Sequence, residues 1–337
     1  MLRLRERERA VGLHAPDLDG GEVWLNSAPL RLRDLRGRRV ALLDFWTYTC
    51  VNCLRTIPYL KAWHQRYADA GLVVVGVHTP EFDFEADPRR VVEFVQEHGI
   101  RYPVVLDNRR TIWSAYANRY WPRTYLVDAR GIIRYDHIGE GGYAETERTI
   151  QALLRELRPD VQLPPVASPE DADLFKVCYP TTPELYAGFY RGRLGNPGGY
   201  VEDRVAWYDD PGERQEGTLY LHGLWEATAD YVRHARATGE PEDYLALRYQ
   251  GLEVNAVLRS LHDAQLRVVV TRDGAPLPRA SAGLDIAYEQ GTSFVAVDEP
   301  RMYNLVRDAA PGRHELRLSA AASDLAVYAL TFGGCPS

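Results

Sequence analysis

Asp44-Phe45-Trp46-Thr47-Tyr48-Thr49-Cys50-Val51-Asn52-Cys53-Leu54-Arg55-Thr56-Ile57-Pro58 is the stretch around which the rest of the chain is read. An apolar run, Val40 to Phe45, leads into it and reads as a buried strand of a parallel sheet. Leu54, Ile57, Leu60, His64 and Tyr67 then recur at helical spacing, and Gly71 stops the helix. Two cysteines, spaced Cys-x-x-Cys, therefore lie where strand gives way to helix. Cys50 meets the free backbone N–H groups and the positive end of the helix dipole, and both stabilise a thiolate. Cys53 stands one turn further on, within reach of a disulfide with Cys50. This is the equipment of thiol–disulfide exchange.

Two other readings of the pair are weaker. A zinc site needs two more ligands, usually in a second close pair. The other cysteines are the isolated Cys178 and Cys335, and no His-x3–5-His pair follows at finger spacing, so no metal is expected. Two inert core cysteines fit poorly at a strand-to-helix junction.

The surroundings of the pair resemble the thioredoxin superfamily. Asp44 stands where thioredoxins place a buried carboxylate, Pro58 where they carry a helix-kinking proline, and Trp46 also fits. The nearer resemblance is to the TlpA-like, or redoxin, branch, and nearest to the extracytoplasmic C-terminal part of the DipZ membrane thiol:disulfide interchange proteins. It rests on Phe45-Trp46-Thr47-Tyr48, Gly76-Val77-His78-Thr79-Pro80-Glu81, Arg119-Tyr120-Trp121-Pro122 and Gly139-Glu140-Gly141. The resemblance implies that Pro122 is a cis proline facing the cysteines. It also implies that Trp46, Tyr48, Trp121 and Pro122 meet the substrate, and that a membrane electron donor of CcdA type is a partner. Where TlpA-type proteins often carry a glutamate, three residues after the second cysteine, this chain has Thr56.

The remaining sequence fits two domains. A chain of 337 residues is long for one. A net charge of −7 gives no nucleic-acid footprint. Residues 1–160 alternate apolar strands with helical patterns and end in a hairpin and a helix, as a thioredoxin-like α/β fold requires. Within them Asp87 caps a helix that starts at Pro88, after a polar insertion, Thr79 to Asp87. Residues 161–182 read as a proline-rich linker. Residues 183–337 carry many short alternating strands, with Arg272-Asp273-Gly274 as a hairpin turn, and read as an all-β sandwich or jelly roll. By resemblance this tail is like a carbohydrate-binding module. Its aromatics, Tyr200, Trp207, Tyr208, Tyr220, Trp225 and Tyr231, either stack on a glycan or fill the core.

The expected chemistry is exchange with protein thiols and disulfides. The Cys50 thiolate attacks a partner disulfide, and Cys53 then resolves the mixed disulfide. Asp44 is the candidate acceptor for the Cys53 proton, because a carboxyl in an apolar strand has a raised pKa. Glu81 and Glu140 follow strands near the active-site end and are candidate accessory groups. No cofactor beyond the Cys50–Cys53 disulfide is expected. The competing reading is a thiol peroxidase. Thr47 and Cys50 give the Thr-x-x-Cys of peroxiredoxins, but Leu43 stands where their proline would be.

The N-terminal residues lack the apolar core of a signal peptide, and no apolar run approaches the ~20 residues of a membrane helix. The sequence as it stands reads as cytoplasmic, whereas the resemblance implies an extracytoplasmic protein. Cys178 precedes the first strand of the tail and Cys335 follows the last. If those strands pair antiparallel, the two cysteines come within disulfide reach.

Overall fold

Seven consecutive buried residues, Val40–Trp46, form the central strand of the first of two units. The computed structural model describes residues 10–167, 178–262 and 265–335, and the chain divides into two units near residue 175. Residues 168–177, within the expected linker, lie outside the described residues.

In the first unit the strands are β1 (Val23–Leu25), β2 (Val40–Trp46), β3 (Leu72–His78), β4 (Val104–Leu106), β5 (Arg123–Val127) and β6 (Ile133–Ile138). The helices are α1 (Leu32–Leu35), α2 (Val51–Tyr67), α3 (Pro88–Glu97), α4 (Thr111–Ala115) and α5 (Tyr143–Leu157). The sheet runs β1-β4-β3-β2-β5-β6. Strands β2, β3 and β4 are parallel, which explains their largely apolar runs, and the others join antiparallel. This is the thioredoxin-like arrangement. Asp87 caps α3 through its side chain, which accepts from Arg89 N, and Pro88 follows. Helix α2 holds Pro58 in its interior, at the cost of one helical hydrogen bond.

Leu32–Leu35 forms a short helix ahead of the central strand. The insertion after β3 is not solvated. It forms a 3-10 turn, Asp83–Ala86, and Phe82, Phe84 and Glu85 are all buried.

The second unit is all-β. Its strands are β7 (Leu185–Tyr186), β8 (Val205–Tyr208), β9 (Leu219–Ala227), β10 (Val232–His234), β11 (Tyr244–Ser260), β12 (Leu266–Arg272), β13 (Ala275–Pro276), β14 (Ile286–Glu289), β15 (Thr292–Val297), β16 (Arg301–Ala320) and β17 (Leu325–Gly333). The ladders between them are antiparallel and link all eleven into one sheet. One core cluster contains Trp225, Leu247, Val268, Val295, Leu316 and Val327, drawn from β9, β11, β12, β15, β16 and β17. Gly251 and Pro311-Gly312 do not end strands but lie inside single long ones, β11 and β16. Gly251 pairs with Gly312 and Glu253 with Arg307, so residues 308–311 bulge out of the ladder instead of ending it.

Strand β7 pairs antiparallel with β17, Tyr186 facing Ala329. Tyr179 N donates to Gly334 O (2.8 Å), and Cys178 and Cys335 are disulfide-bonded with Cα atoms 4.3 Å apart.

Candidate active site

Cys50 is the N-cap residue of α2, and its Sγ accepts from Cys53 N at 3.2 Å. Its backbone is extended (φ −83°, ψ 109°), so the chain turns at Cys50 from the loop into the helix. Cys50 is half-buried and Cys53 is fully buried, and both thiols are free. Burial, followed by the neighbouring Cys50, pushes the Cys53 thiol well above the ordinary range. The pair is therefore asymmetric: one cysteine is partly exposed, and the thiol of the other needs help to lose its proton.

Asp44 lies on β2 behind the helix start, 1% exposed. Burial raises its carboxyl to about 7, opposed by the Thr124 hydroxyl, which donates to Asp44 Oδ1 at 2.9 Å. The Asp44 charge acts on Cys53. A carboxyl with a pKa near neutrality beside a thiol that resists ionisation can take that thiol's proton.

The Trp121–Pro122 bond is cis. Arg123, the next residue, pairs with Phe45, so Pro122 lies beside the end of β2 from which the cysteine loop departs. Trp121 is half-buried, its Nε1 donating to Thr79 O at 3.0 Å, and it packs on Trp113. Trp46 and Tyr48 are buried, which removes them from direct contact with a docked partner. They pack instead around His78 under the loop. Burial lowers His78 to about 3, so it is neutral, with Nε2 3.5 Å from the Thr47 hydroxyl.

Glu85 is the carboxylate that the sequence reading missed. It is fully buried and takes a hydrogen bond from the Thr49 hydroxyl, directly before Cys50. The backbone N–H groups of Glu81 (2.5 Å) and Phe82 (3.0 Å) also donate to it. Burial raises it to about 7, with the Glu81 charge adding to the effect. Of the two expected accessory groups, Glu81 contributes its backbone N–H here, and Glu140 accepts from Arg55 on α2 at 3.2 Å, at the surface. Two phenylalanines just before Glu85, Phe82 and Phe84, were the available signal that this segment is buried.

Among the described residues no cluster of His, Cys, Asp and Glu could hold a metal ion. In the second unit Trp225, Tyr220 and Tyr208 are buried and Trp207 is exposed, so the aromatics divide between core and surface. A concavity of about 980 Å³ there is lined by Tyr220, Arg248, Arg313, Arg317, Asp273 and Glu315, among others.

Residues 182–333 match a family described as a thioredoxin-like C-terminal domain, and residues 11–136 match the AhpC/TSA family. Protein DipZ of Mycobacterium bovis is 39% identical over 266 residues, covering 78% of this chain and 37% of DipZ. The chain thus spans little more than a third of that relative. Thiol-disulfide oxidoreductase YkuV of Bacillus subtilis is 31% identical over 141 residues, covering 42% of this chain and 94% of YkuV. A thioredoxin-like protein solved in its oxidised form is 30% identical, covers 43% of this chain and 97% of its own, and has a TM-score of 0.40.

Proposed function

The chain belongs to the thioredoxin-like thiol-disulfide oxidoreductases, and from that premise we propose that Cys50 and Cys53 are its redox pair, exchanging disulfides with partner proteins. The observation that carries this is the asymmetric pair at the start of α2, with Asp44 buried behind it. Cys50 attacks a partner disulfide and one partner sulfur leaves as a thiolate. Asp44 takes the Cys53 proton. Cys53 then attacks Cys50, releasing the second partner sulfur and leaving the Cys50–Cys53 disulfide. No cofactor enters. Run backwards, the same steps oxidise a dithiol. Trp121 and the cis Pro122 flank the docking site, where an extended substrate segment meets backbone groups.

The test is trapping. Cys53→Ser incubated with insulin should accumulate a mixed disulfide through Cys50, and Cys50→Ser should form none. Faster labelling of Cys53 than of Cys50 by iodoacetamide at neutral pH would reverse the roles.

A second reading is favoured by the AhpC/TSA match over residues 11–136. A thiol peroxidase would use the same Cys50, with Thr47 beside it. Leu43 in place of a proline and the adjacent Cys53 weigh against it. Steady-state hydrogen peroxide turnover that exceeds insulin reduction would favour it.

The partner range extends the reading. A membrane donor of CcdA type would re-reduce the pair. The second unit would hold a partner or a glycan in the 980 Å³ concavity, whose Arg248 is exposed. A glycan array on the full chain tests this. The Cys178–Cys335 disulfide supports an oxidising, extracytoplasmic compartment over the cytoplasm. Among the described residues no helix is long and apolar enough to cross a membrane.

A further inference from the structure

Asp44 has a problem that the exchange mechanism leaves open. It is 1% exposed, and in every cycle it must give up the proton it has taken. A partner protein docked on Cys50 would cover the front of the site. The proton needs another way out.

Behind Asp44, three buried polar atoms have no partner in the protein: Trp46 Nε1, Tyr102 Oη and His64 Nδ1. Such atoms are uncommon, and where they cluster water usually joins them. They are also contiguous. Gly76 pairs with Asp44 across β2 and β3. A Cβ there would meet Trp46 Nε1 at 2.8 Å and Tyr102 Cε2 at 3.2 Å, so the missing side chain is what admits both rings beside Asp44. Burial holds the Tyr102 phenol well above its ordinary range, and the charges of Asp44 and Cys53 add to this, so it is a neutral hydroxyl within electrostatic reach of both groups. On its far side Tyr102 meets His64 edge to face, with ring centroids 6.2 Å apart. His64 is half-buried. With Tyr102, Lys61, Gln65, Asp69 and Arg101 it lines a surface cavity of about 560 Å³. Burial holds His64 below the ordinary histidine value, so at neutral pH it is a neutral ring with a nitrogen free to accept. His64 follows Cys53 by eleven residues on α2, a distance of about 16 Å along a helix. The cavity therefore lies well along α2 from Cys50.

We propose that Tyr102 and His64 form a rear proton passage for Asp44, carrying the Cys53 proton to solvent while a partner covers the front. This rests on the reading of Asp44 as the acceptor for Cys53. Cys53 S–H gives its proton to Asp44, and its thiolate forms the bond to Cys50 as the Cys50–partner S–S bond breaks. Asp44 then returns to carboxylate. Its proton passes through water to Tyr102 Oη, Tyr102 passes its own proton through a second water to His64 Nδ1, and His64 releases one from Nε2 into the cavity. Nothing is oxidised or reduced beyond the disulfides themselves. Tyr102 and His64 are positioning residues that act through Asp44.

The experiment is single-turnover exchange by the full reduced chain, in water and in deuterium oxide. Insulin serves as a covering substrate and glutathione disulfide as an open one. Tyr102→Phe removes one unpartnered hydroxyl and keeps the ring. It and His64→Phe should slow the resolving step with insulin by at least about tenfold and change its solvent isotope effect. With glutathione disulfide they should slow it much less. Iodoacetamide labelling of Cys50 should be unchanged, which separates the effect from a disturbed fold. Equal slowing with both substrates would overturn the passage, as would insulin rates and isotope effects equal to wild type in Tyr102→Phe. Asp44→Asn run beside them locates the failure. If it slows resolution while Tyr102→Phe does not, the passage is wrong and Asp44 remains the acceptor. If Asp44→Asn resolves as fast as wild type, the acceptor reading and the passage fall together.

Discussion

Asp44 and Glu85 put two carboxyls around the cysteine loop, each raised by burial to about 7. The sign of the consequence is fixed. A carboxyl whose pKa is higher in the folded state binds its proton more tightly there, so stability falls as pH rises from the ordinary value to the raised one. For Asp44 the window is 3.8 to about 7, and the full cost above it is about 4 kcal/mol. Asp44→Asn should therefore raise the melting temperature at pH 8 and change it little near pH 4, while slowing the Cys53 step. A variant that melts below wild type at pH 8 would contradict this. Glu85→Ala should behave differently. It leaves the Thr49 hydroxyl and the Glu81 and Phe82 amides without their acceptor, a loss of about 2–4 kcal/mol. That loss should be larger at pH 5 than at pH 8, where the cost of ionised Glu85 has already weakened the wild type. Urea melts at the two pH values check it, and the Cys50 labelling rate should change because Thr49 is freed. Asp44 was legible in the sequence because a charge interrupts an apolar run. Glu85 was not, because the segment around it, Thr79 to Asp87, is mostly polar and only two phenylalanines betray its burial.

At the scale of elements, the parallel strands and the helices that flank them were legible because period and punctuation agree. Val40–Trp46 is apolar apart from Asp44 and buried throughout, and Tyr143–Leu157 is the helix expected after the hairpin. The long strands of the second unit were not. Gly251 and Pro311-Gly312 have the composition of turns, yet here glycine faces glycine within a ladder and the extra residues bulge outward. A turn signal reports what the backbone tolerates, and pairing with a distant strand decides how it is used. Gly76 shows the same limit inside β3: in sequence it is a gap in an apolar run, and in the fold it makes room for Trp46 and Tyr102. Gly76→Ala would place a methyl 2.8 Å from Trp46 Nε1, and overpacking of this kind costs about 1–3 kcal/mol. The variant should melt lower than wild type and show altered near-UV signal from Trp46. An unchanged melt would mean that the rings yield freely and that the packing beside Asp44 is loose.

At the scale of the whole chain, the second unit is closed by the bond between its ends. Strands β7 and β17 pair, and Cys178 and Cys335 join just outside that pairing, 157 residues apart in sequence. Strand β7 has only two residues, too few to hold the N-terminal edge by hydrogen bonds alone. The disulfide acts on the unfolded chain as well, because a closed loop of that length has less freedom to gain. The chain-entropy model gives about 5 kcal/mol, and measured values are more often 2–4 kcal/mol. Thiol counting on unreduced, denatured Cys50→Ser/Cys53→Ser protein should find no free thiol in a monomer. Cys178→Ser/Cys335→Ser should then lower the stability of the second unit by an amount in that range. Amide exchange should quicken along β17, while β2, in the first unit, keeps its protection. Two free thiols per chain would remove the bond, and with it the support for an oxidising compartment. Faster exchange in β2 equal to that in β17 would mean that the bond does more than close the β unit. The redox pair and the closing pair differ in kind: Cys50 is half-buried at a helix start beside a buried partner thiol, whereas Cys178 and Cys335 already share a bond at the edge of a sheet. A mild reductant such as dithiothreitol at low concentration should therefore reduce an oxidised Cys50–Cys53 pair before it opens Cys178–Cys335, and the reverse order would show that the closing bond is itself the labile one.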